Sequence, residues 1–374
     1  MKLSLSRDAL AGALERIHKL VERRNTIPIL SHIKVSAFGE TLGLTATDLD
    51  ITGTTEIAAE IEHTGAMTVP ADTLFNFVRK LPDGTQISLT GGDGDTVTIR
   101  CGKSRATLPT LDPADFPDAA KGEWSHSFAL DSHKMAEMID RVEFAISTEG
   151  TRYYLNGIFL HLLQDHADGL VLRAVATDGH RLARYQMAAP EGTGGEPFGV
   201  IIPRKAVAEM AKLAKIKGEA KVQVSVSKTL LRVAAGVTTI TTKLIDGTFP
   251  DYNRVIPSGN SKAAVLDKAQ FAAAVSRVST LSTERGRAVK FSFSDSALTL
   301  SVVSPDTGTA VDEMEAAYDA EPLDIGFNSA YLADICSVAP GDRLRVMLED
   351  AGSPALITAE GDATSLFVLM PMRA

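Results

Sequence analysis

The sequence predicts an α+β protein of three similar domains, each a βαβββ unit repeated twice. Three observations lead there. The chain has 374 residues, too long for one ordinary core. A strand, a capping residue and an amphipathic helix recur three times along it. About sixty to seventy residues after each of those helices, a second helix is entered from a strand.

The three leading helices are read from their apolar spacing. Ser6 precedes Leu10, Ala13, Leu14 and Ile17; Ser132 precedes Met135, Met138, Ile139 and Val142; Asp267 precedes Phe271, Ala274, Val275 and Val278. All three follow i, i+3, i+4, i+7, which puts one apolar stripe against a core. Alternating stretches follow each helix and read as strands: Ile33 to Phe38, Leu170 to Val175 and Val289 to Ser294. The second helices are entered at Val69-Pro70-Ala71, Ile202-Pro203-Arg204 and Phe327-Asn328-Ser329. Proline is tolerated at a helix start because its missing N–H would be unpaired there. Turn signals such as Asp83-Gly84, Gly94-Asp95 and Gly361-Asp362 close the units. Proline and small residues gather from Pro109 to Ser125 and from Pro250 to Ala264, which places the domains at 1–120, 127–252 and 260–374. Three unrelated α+β domains are the alternative; the recurring order and spacing stand against it.

Composition narrows the class. No apolar run approaches the roughly 20 residues that a membrane span needs. The opening Met1-Lys2-Leu3-Ser4-Leu5 alternates like a strand and lacks a signal peptide's apolar core. Cys101 and Cys336 are the two cysteines, far apart, so neither a disulfide framework nor a cysteine metal site is expected. A reducing cytoplasm fits all of this.

A formal net charge of -9 argues at first against a nucleic-acid partner. Its distribution argues the other way. Residues 204–217 carry Arg204, Lys205, Lys212, Lys215 and Lys217 against Glu209. Arg7, Arg16, Lys19, Arg23 and Arg24 outnumber Asp8, Glu15 and Glu22 around the first helix; Lys268, Arg277, Arg285 and Arg287 face Glu284 around the fifth. Helices sharing one face would make it positive and draw a phosphate backbone. Solvated helix faces are the plainer reading of the same charges. Without aromatic interleaving or a helix-turn-helix signature, any DNA contact should ignore sequence.

Candidate chemistry is sparse. Gly102-Lys103-Ser104 imitates the end of a phosphate-binding loop, but Val97 stands where that loop needs glycine. Asp93 and Asp95 flank Gly94 without the remaining ligands of a calcium loop, and read as a hairpin turn. Thr177-Asp178-Gly179-His180-Arg181 offers a carboxylate beside an imidazole. A similar Thr47-Asp48-Leu49-Asp50 follows the corresponding strand of the first unit, so the feature reads as a structural turn. No nucleophile elbow, paired-His motif or dinucleotide fingerprint is present, and no cofactor is expected.

These residues resemble those of the bacterial DNA polymerase III β subunit, the sliding-clamp family, along essentially the whole chain. The likeness is densest at Thr26-Ile27-Pro28-Ile29-Leu30, Arg152-Tyr153-Tyr154-Leu155-Asn156-Gly157 and Ala176 to Ala183. It continues at Phe249-Pro250-Asp251-Tyr252, Ile325-Gly326-Phe327-Asn328 and Met370-Pro371-Met372-Arg373. The resemblance implies three DNA-clamp domains per chain, with helices lining a ring and sheets outside. It implies a head-to-tail homodimer that encircles double-stranded DNA without sequence specificity and has no catalysis of its own. Implied partners are the DNA polymerase III catalytic subunit, the clamp loader, translesion polymerases, and mismatch-repair and ligase proteins, all held through short peptide motifs. No membrane is involved, and the implied location is cytoplasmic, on the nucleoid.

Carried onto this chain, the resemblance implies a peptide-binding pocket of Arg152, Leu155, Thr177, Gly179, His180, Arg181, Leu182, Pro250, Arg254, Val255, Val368, Leu369, Met370, Pro371, Met372 and Arg373. Apolar walls with a few polar groups suit a short motif with hydrophobic anchors, and methionines let one pocket accept related peptides. Ordinary core packing is the alternative for Leu155, Leu182 and Val368. Implied DNA contacts are Arg24, Tyr153, Tyr154, Arg204 and Lys205; implied ring-interface positions are Ala106, Thr280 and Leu281. Four departures stand out: Glu149 beside the presumed DNA path, Ala374 at the terminus, and Ala106 and Thr280 where bulkier apolar groups are usual. An enzyme using Asp178 and His180, or a static peptide scaffold, are the rival classes.

Overall fold

A computed structural model describes residues 1–22, 26–91, 95–194, 196–282 and 288–373. Arg23, Arg24, Asp93, Gly94, Glu284, Arg285, Arg287 and Ala374, all invoked above, lie outside the described residues. Six helices are described: α1 (Arg7–Ile17), α2 (Ala71–Val78), α3 (Ser132–Val142), α4 (Arg204–Leu213), α5 (Lys268–Ser279) and α6 (Ser329–Val338). Each is preceded by one strand and followed by three, so βαβββ occurs six times; Glu60–His63 is one additional short strand.

The stripes behave as their spacing predicts. Leu10, Ala13, Leu14 and Ile17 of α1 and Phe271, Ala274, Val275 and Val278 of α5 are buried, as are Met135, Met138, Ile139 and Val142 of α3. Burying such side chains contributes about 1.5–3 kcal/mol each, which holds short helices that would be marginal alone. Capping differs from the sequence reading in two of the three leading helices. Asp267 does cap α5, its carboxylate accepting from the Gln270 N–H. In α3 the cap is Asp131, which accepts from His133 N at 2.9 Å; Ser132 is already helical and its buried hydroxyl is unpartnered. Ser6 makes no side-chain cap bond; instead Arg7 N donates to Thr85 O at 2.9 Å. Pro70 and Pro203 end strands rather than begin helices, pairing with His32 and Gly157.

Two compact units are described. The first comprises residues 1–136, 190–194 and 208–244. It holds a five-stranded sheet, in order Glu60–His63, Lys2–Ser6, Gln86–Gly91, Thr96–Cys101 and Ser104–Pro109. Its eight-stranded sheet runs His126–Asp131, Lys221–Val226, Leu230–Ala235, Thr238–Lys243, Ile51–Ala58, Thr41–Thr47, His32–Phe38 and Gly65–Pro70. The second unit comprises 137–189, 195–207 and 245–374, of which 195, 283–287 and 374 are not described. Its eight-stranded sheet runs Phe198–Pro203, Gly157–Asp165, Gly169–Thr177, Arg181–Ala188, Ser365–Leu369, Ala355–Ala359, Arg343–Leu348 and Lys262–Asp267. Its four-stranded sheet runs Gly308–Glu315, Ala297–Ser304, Ala288–Ser294 and Leu323–Asn328.

Two rules organise these sheets. The opening strand of each half-repeat pairs in the sheet of the other half: Lys2–Ser6 with Gln86–Gly91, and Gly65–Pro70 with His32–Phe38. The same exchange recurs in both later repeats. Sheets of neighbouring repeats then fuse through closing strands. Thr238–Lys243 pairs antiparallel with Ile51–Ala58, where the Thr55 and Thr238 hydroxyls meet at 2.9 Å. Arg181–Ala188 pairs with Ser365–Leu369, with Leu182 opposite Val368. The ladder therefore runs through the sequence repeats, and a compact unit is not one repeat.

Candidate partner and nucleic-acid sites

The Thr177–Arg181 turn organises the candidate pocket. Thr177 Oγ1 donates to Arg181 O at 2.7 Å and accepts from Gly179 N at 3.1 Å. Asp178 Oδ1 accepts from His180 N and Arg181 N at 2.9 and 3.0 Å. Gly179 has φ +90°, which L side chains rarely adopt. The earlier Thr47–Ile51 turn repeats this pattern: Thr47 Oγ1 donates to Ile51 O, Asp48 Oδ1 accepts from Asp50 N and Ile51 N, and Leu49 takes φ 80°. The repetition is geometric, and it disposes of Asp178 as a general base. Both its oxygens are engaged, Oδ2 accepting from Arg181 Nε at 3.0 Å.

Arg181 is a hub rather than an open contact. Its side chain is 12% exposed. Nη1 donates to Asp334 Oδ2 at 2.5 Å and Nη2 to Phe144 O at 2.6 Å. The guanidinium lies 4.3 Å from the Tyr331 ring centroid and 5.0 Å from that of Phe144. His180, exposed, stacks on Tyr331 at 6.4 Å, and its carbonyl accepts from Met370 N at 2.9 Å.

Beside this turn, Leu155, Leu182 and Val368 are buried in one cluster with Val175, Ile201, Phe249, Tyr252 and Leu366. Leu369 is fully buried in its strand. These four are core side chains as the structure stands. Pro250 and Arg254 are exposed, Arg254 pairing with Asp251 at 3.1 Å, and Val255 and Met370 are 48% and 40% exposed. The chain end is tied down, since Met372 N donates to Gly326 O at 2.9 Å. Pro371, Met372 and Arg373 line a cleft of about 510 Å³ with Lys290, Asp324 and Ile325. Arg152 lies against Gly179 and pairs with Glu149. That bond, then one from Thr151, holds the Glu149 carboxyl below the usual carboxylate range. Glu149 is thus an ionised acid paired with Arg152, not a bare charge. Sequence reasoning missed Phe144, Tyr331 and Asp334 entirely; only Phe249 and Tyr252 had a signal, in the motif that contains Pro250.

Of the candidate DNA residues, Tyr153, Tyr154, Arg204 and Lys205 lie on adjoining segments. Tyr153 is 53% exposed and packs edge-on to Tyr154 at 5.8 Å. Tyr154 is half-buried against the cluster above. Arg204 N donates to Asn156 O at 3.0 Å, bringing the exposed first turn of α4, with Arg204 and Lys205, next to this segment. That turn carries no acid. Cations at a helix N-terminus oppose the macrodipole at about 0.3–1 kcal/mol each, and concentrate positive potential where an anion would sit. Elsewhere the count of helical cations overstated the free charge. Arg7 bonds Asp8, Asp83 and the carbonyls of Val78 and Arg79; Lys212 pairs with Glu209, and Arg277 with Asp312. Lys268 donates to Ala339 O. Their acceptors lie outside the windows in which the charge was counted, except Asp8 and Glu209.

Of the interface positions, Ala106 is half-buried on the edge strand Ser104–Pro109. Thr280 is exposed just beyond α5, and Leu281 O accepts from Thr307 Oγ1 at 2.6 Å. Gly102-Lys103 forms a two-residue hairpin turn between paired Cys101 and Ser104, not a phosphate loop. Both cysteines are free and buried. Among the described residues no His, Cys, Asp or Glu cluster could hold a metal, and no helix is long and apolar enough to cross a membrane.

Six βαβββ units in three domains, sharing their sheets, define a clamp fold of mixed helix and strand. Family models for the N-terminal, central and C-terminal domains of the DNA polymerase III beta subunit match residues 1–120, 129–251 and 253–373. The chain is 46% identical to the beta sliding clamp of Caulobacter vibrioides (strain NA1000 / CB15N) over 374 residues, covering 100% of both. It is 33% identical to that of Escherichia coli (strain K12), again covering 100% of both. The structure of a sliding clamp (DNA polymerase III subunit beta) from Bartonella birtlesii, bound to griselimycin, matches with a TM-score of 0.96 at 46% identity, covering 100% of both chains. The chain belongs to the DNA polymerase III beta subunit family, the beta sliding clamps. It is a DNA sliding clamp: a non-catalytic processivity factor that works with DNA and polymerase in replication.

Proposed function

We propose that two copies close head to tail into a ring around duplex DNA, and that polymerases and repair proteins dock short peptides beside the Thr177–Arg181 turn. Sheet topology carries the ring reading. Within the chain, the closing strand of one repeat's first half pairs with the closing strand of the next repeat's second half, twice. Two closing strands are left as edges: Ser104–Pro109 and Gly308–Glu315. The same rule pairs these two between copies, and a heterologous contact of that kind closes into a ring. Their charges suit each other, with exposed Lys103 and Arg105 at the first edge, and exposed Glu313 and Glu315 at the second. An open edge strand is otherwise an aggregation hazard. Ala106 and Thr280 leave this joint less apolar and more ionic.

In this reading Tyr153, Tyr154, Arg204 and Lys205 touch the phosphate backbone without reading bases. Domains at 1–120, 127–252 and 260–374, a cytoplasmic location on the nucleoid and peptide-motif partners follow from it. The test loads the protein onto nicked circular DNA with its clamp loader, washes in high salt, then linearises the circle. Salt removes electrostatic binding because it depends on counterion release, whereas a topological link survives and is lost only after cutting. Survival followed by release is expected. Loss during the wash, equal on circles and linear DNA, refutes encirclement.

A further inference from the structure

The segment carrying Pro250, Arg254 and Val255 belongs to no sheet. Its backbone bonds are long, with Arg254 N to Asp251 O at 3.4 Å and Ile256 N to Asn253 O at 3.3 Å. Its firm anchors are side chains. Phe249 stacks on Phe159 at 4.9 Å, and Phe159 on His161 at 4.5 Å. Tyr252, 5% exposed, turns its ring into the apolar cluster and its hydroxyl into a buried polar network.

That network is directional. Arg173, 4% exposed, donates through Nη2 to Asp165 at 2.7 Å and to Gln186 Oε1 at 2.6 Å, through Nε to Gln186 at 3.1 Å, and through Nη1 to Tyr252 Oη at 3.0 Å. Gln186 in turn donates to Asp168 at 2.6 Å. Arginine has no acceptor, so the Tyr252 oxygen receives from it, which leaves the hydroxyl proton for His161 Nε2 at 3.1 Å. That donation requires a neutral His161 with its proton on Nδ1. Burial first, then the nearby Arg173, keeps it so, with a pKa lowered to about 4.

We propose that Tyr252, Arg173 and His161 are positioning residues for the partner pocket. The Tyr252 hydroxyl is the pin by which strands Gly157–Asp165 and Gly169–Thr177 hold the 249–255 segment in register with the Thr177–Arg181 turn. None of the three need touch the peptide. The inference rests on the pocket reading above, and the test separates them.

The probe is a fluorescein-labelled peptide taken from the DNA polymerase III catalytic subunit of the same cell, titrated by anisotropy against full-length native, Tyr252→Phe and Val255→Asp proteins. Amide exchange at Asn253, Arg254 and Val255, and retention on circular DNA, are measured in parallel. Tyr252→Phe keeps the ring and deletes the pin. About a tenfold loss of affinity is expected, the scale of one hydrogen bond to a charged group, with faster exchange confined to this segment and, per clamp loaded, DNA retention unchanged. Val255→Asp should lose binding without altered exchange at its neighbours. If Tyr252→Phe binds within twofold of native while Val255→Asp fails, the positioning role is refuted and the pocket stands. If both bind like native, the pocket reading falls and this inference with it. Lost affinity with unchanged exchange overturns positioning in favour of direct contact. Should Tyr252→Phe not fold, His161→Leu, which keeps the Arg173 bond to Tyr252 and removes the other partner of its hydroxyl, should give a smaller loss of affinity with the same segment-confined rise in exchange, and native affinity with native exchange refutes the positioning role.

Discussion

Replacing Arg181 by methionine separates a structural hub from a peptide contact. Methionine keeps the apolar stem of the arginine and removes its donors. Three bonds go: to Asp178 at 3.0 Å, to Asp334 at 2.5 Å and to the Phe144 carbonyl at 2.6 Å. They are not equal. Asp334 is 46% exposed, so water replaces its partner and that pair contributes at most about 1 kcal/mol. Asp178, 17% exposed, retains its two backbone donors, so its loss is partial. The Phe144 carbonyl loses a charged donor, worth about 1.5–3 kcal/mol. Loss of the cation from the Tyr331 and Phe144 faces adds about 1 kcal/mol.

The expected sum is about 3–5 kcal/mol, in the range for breaking a buried charge pair. Trp124, the single tryptophan, lies in the first compact unit, so urea unfolding of the second is followed by far-UV circular dichroism. Asp334→Asn is the control and should cost under about 1 kcal/mol. If Arg181→Met unfolds within about 1 kcal/mol of native yet loses polymerase-peptide affinity, Arg181 is a contact and the hub argument is wrong.

Other consequences follow from the same turn and from the buried histidine. Gly179→Ala should destabilise by about 1–2 kcal/mol in urea unfolding, because φ +90° strains any Cβ and this one would lie 2.5 Å from Arg152 Nη1. Leu49→Gly, at φ 80° in the matching turn, should be neutral or stabilising by up to about 1 kcal/mol. His161 stays neutral in the fold down to about pH 4, against an ordinary value of 6.5. The unfolded chain therefore binds a proton that the folded one does not as pH falls from 6.5 to 4. Stability present above pH 6.5 is lost across that window, by about 3 kcal/mol. His161→Leu should show a correspondingly shallower loss between pH 7.5 and 4; an unchanged slope would assign the acid sensitivity elsewhere.

What could be read from the sequence was what is local. The stripes of α1, α3 and α5 needed only helical spacing, and the order of strands only alternation and turns. The α3 cap was misplaced by one because Asp131 and Ser132 are both competent caps, and only backbone geometry chooses. Free charge was overcounted because Arg7 is neutralised by Asp83 and by carbonyls about seventy residues away, and Arg277 by Asp312. Such pairs form only when strands bring distant segments together. The candidate pocket was drawn from family motifs, yet the hub beside it, Arg181 with Asp334, spans 153 residues and left no trace. Leu155, Leu182 and Val368 read as pocket wall or as core, and the structure buries all three in one cluster.

Under the proposed head-to-tail pairing, the rule for closing strands also says where the ring would open. The two joints within the chain, Thr238–Lys243 on Ile51–Ala58 and Arg181–Ala188 on Ser365–Leu369, each register five residue pairs. Both are unimolecular, since covalent connection keeps their partners at high effective concentration. Under the proposed pairing, Ser104–Pro109 on Gly308–Glu315 is the same kind of ladder without that connection, so its stability depends on protein concentration. Asp312 on that edge is already engaged by Arg277, and Ala106 and Thr280 add little apolar area. Similar hydrogen bonding with less entropy in its favour makes the joint between copies the weakest in the ring. Opening there exposes edges that can re-pair, whereas opening inside the chain would unravel an eight-stranded sheet.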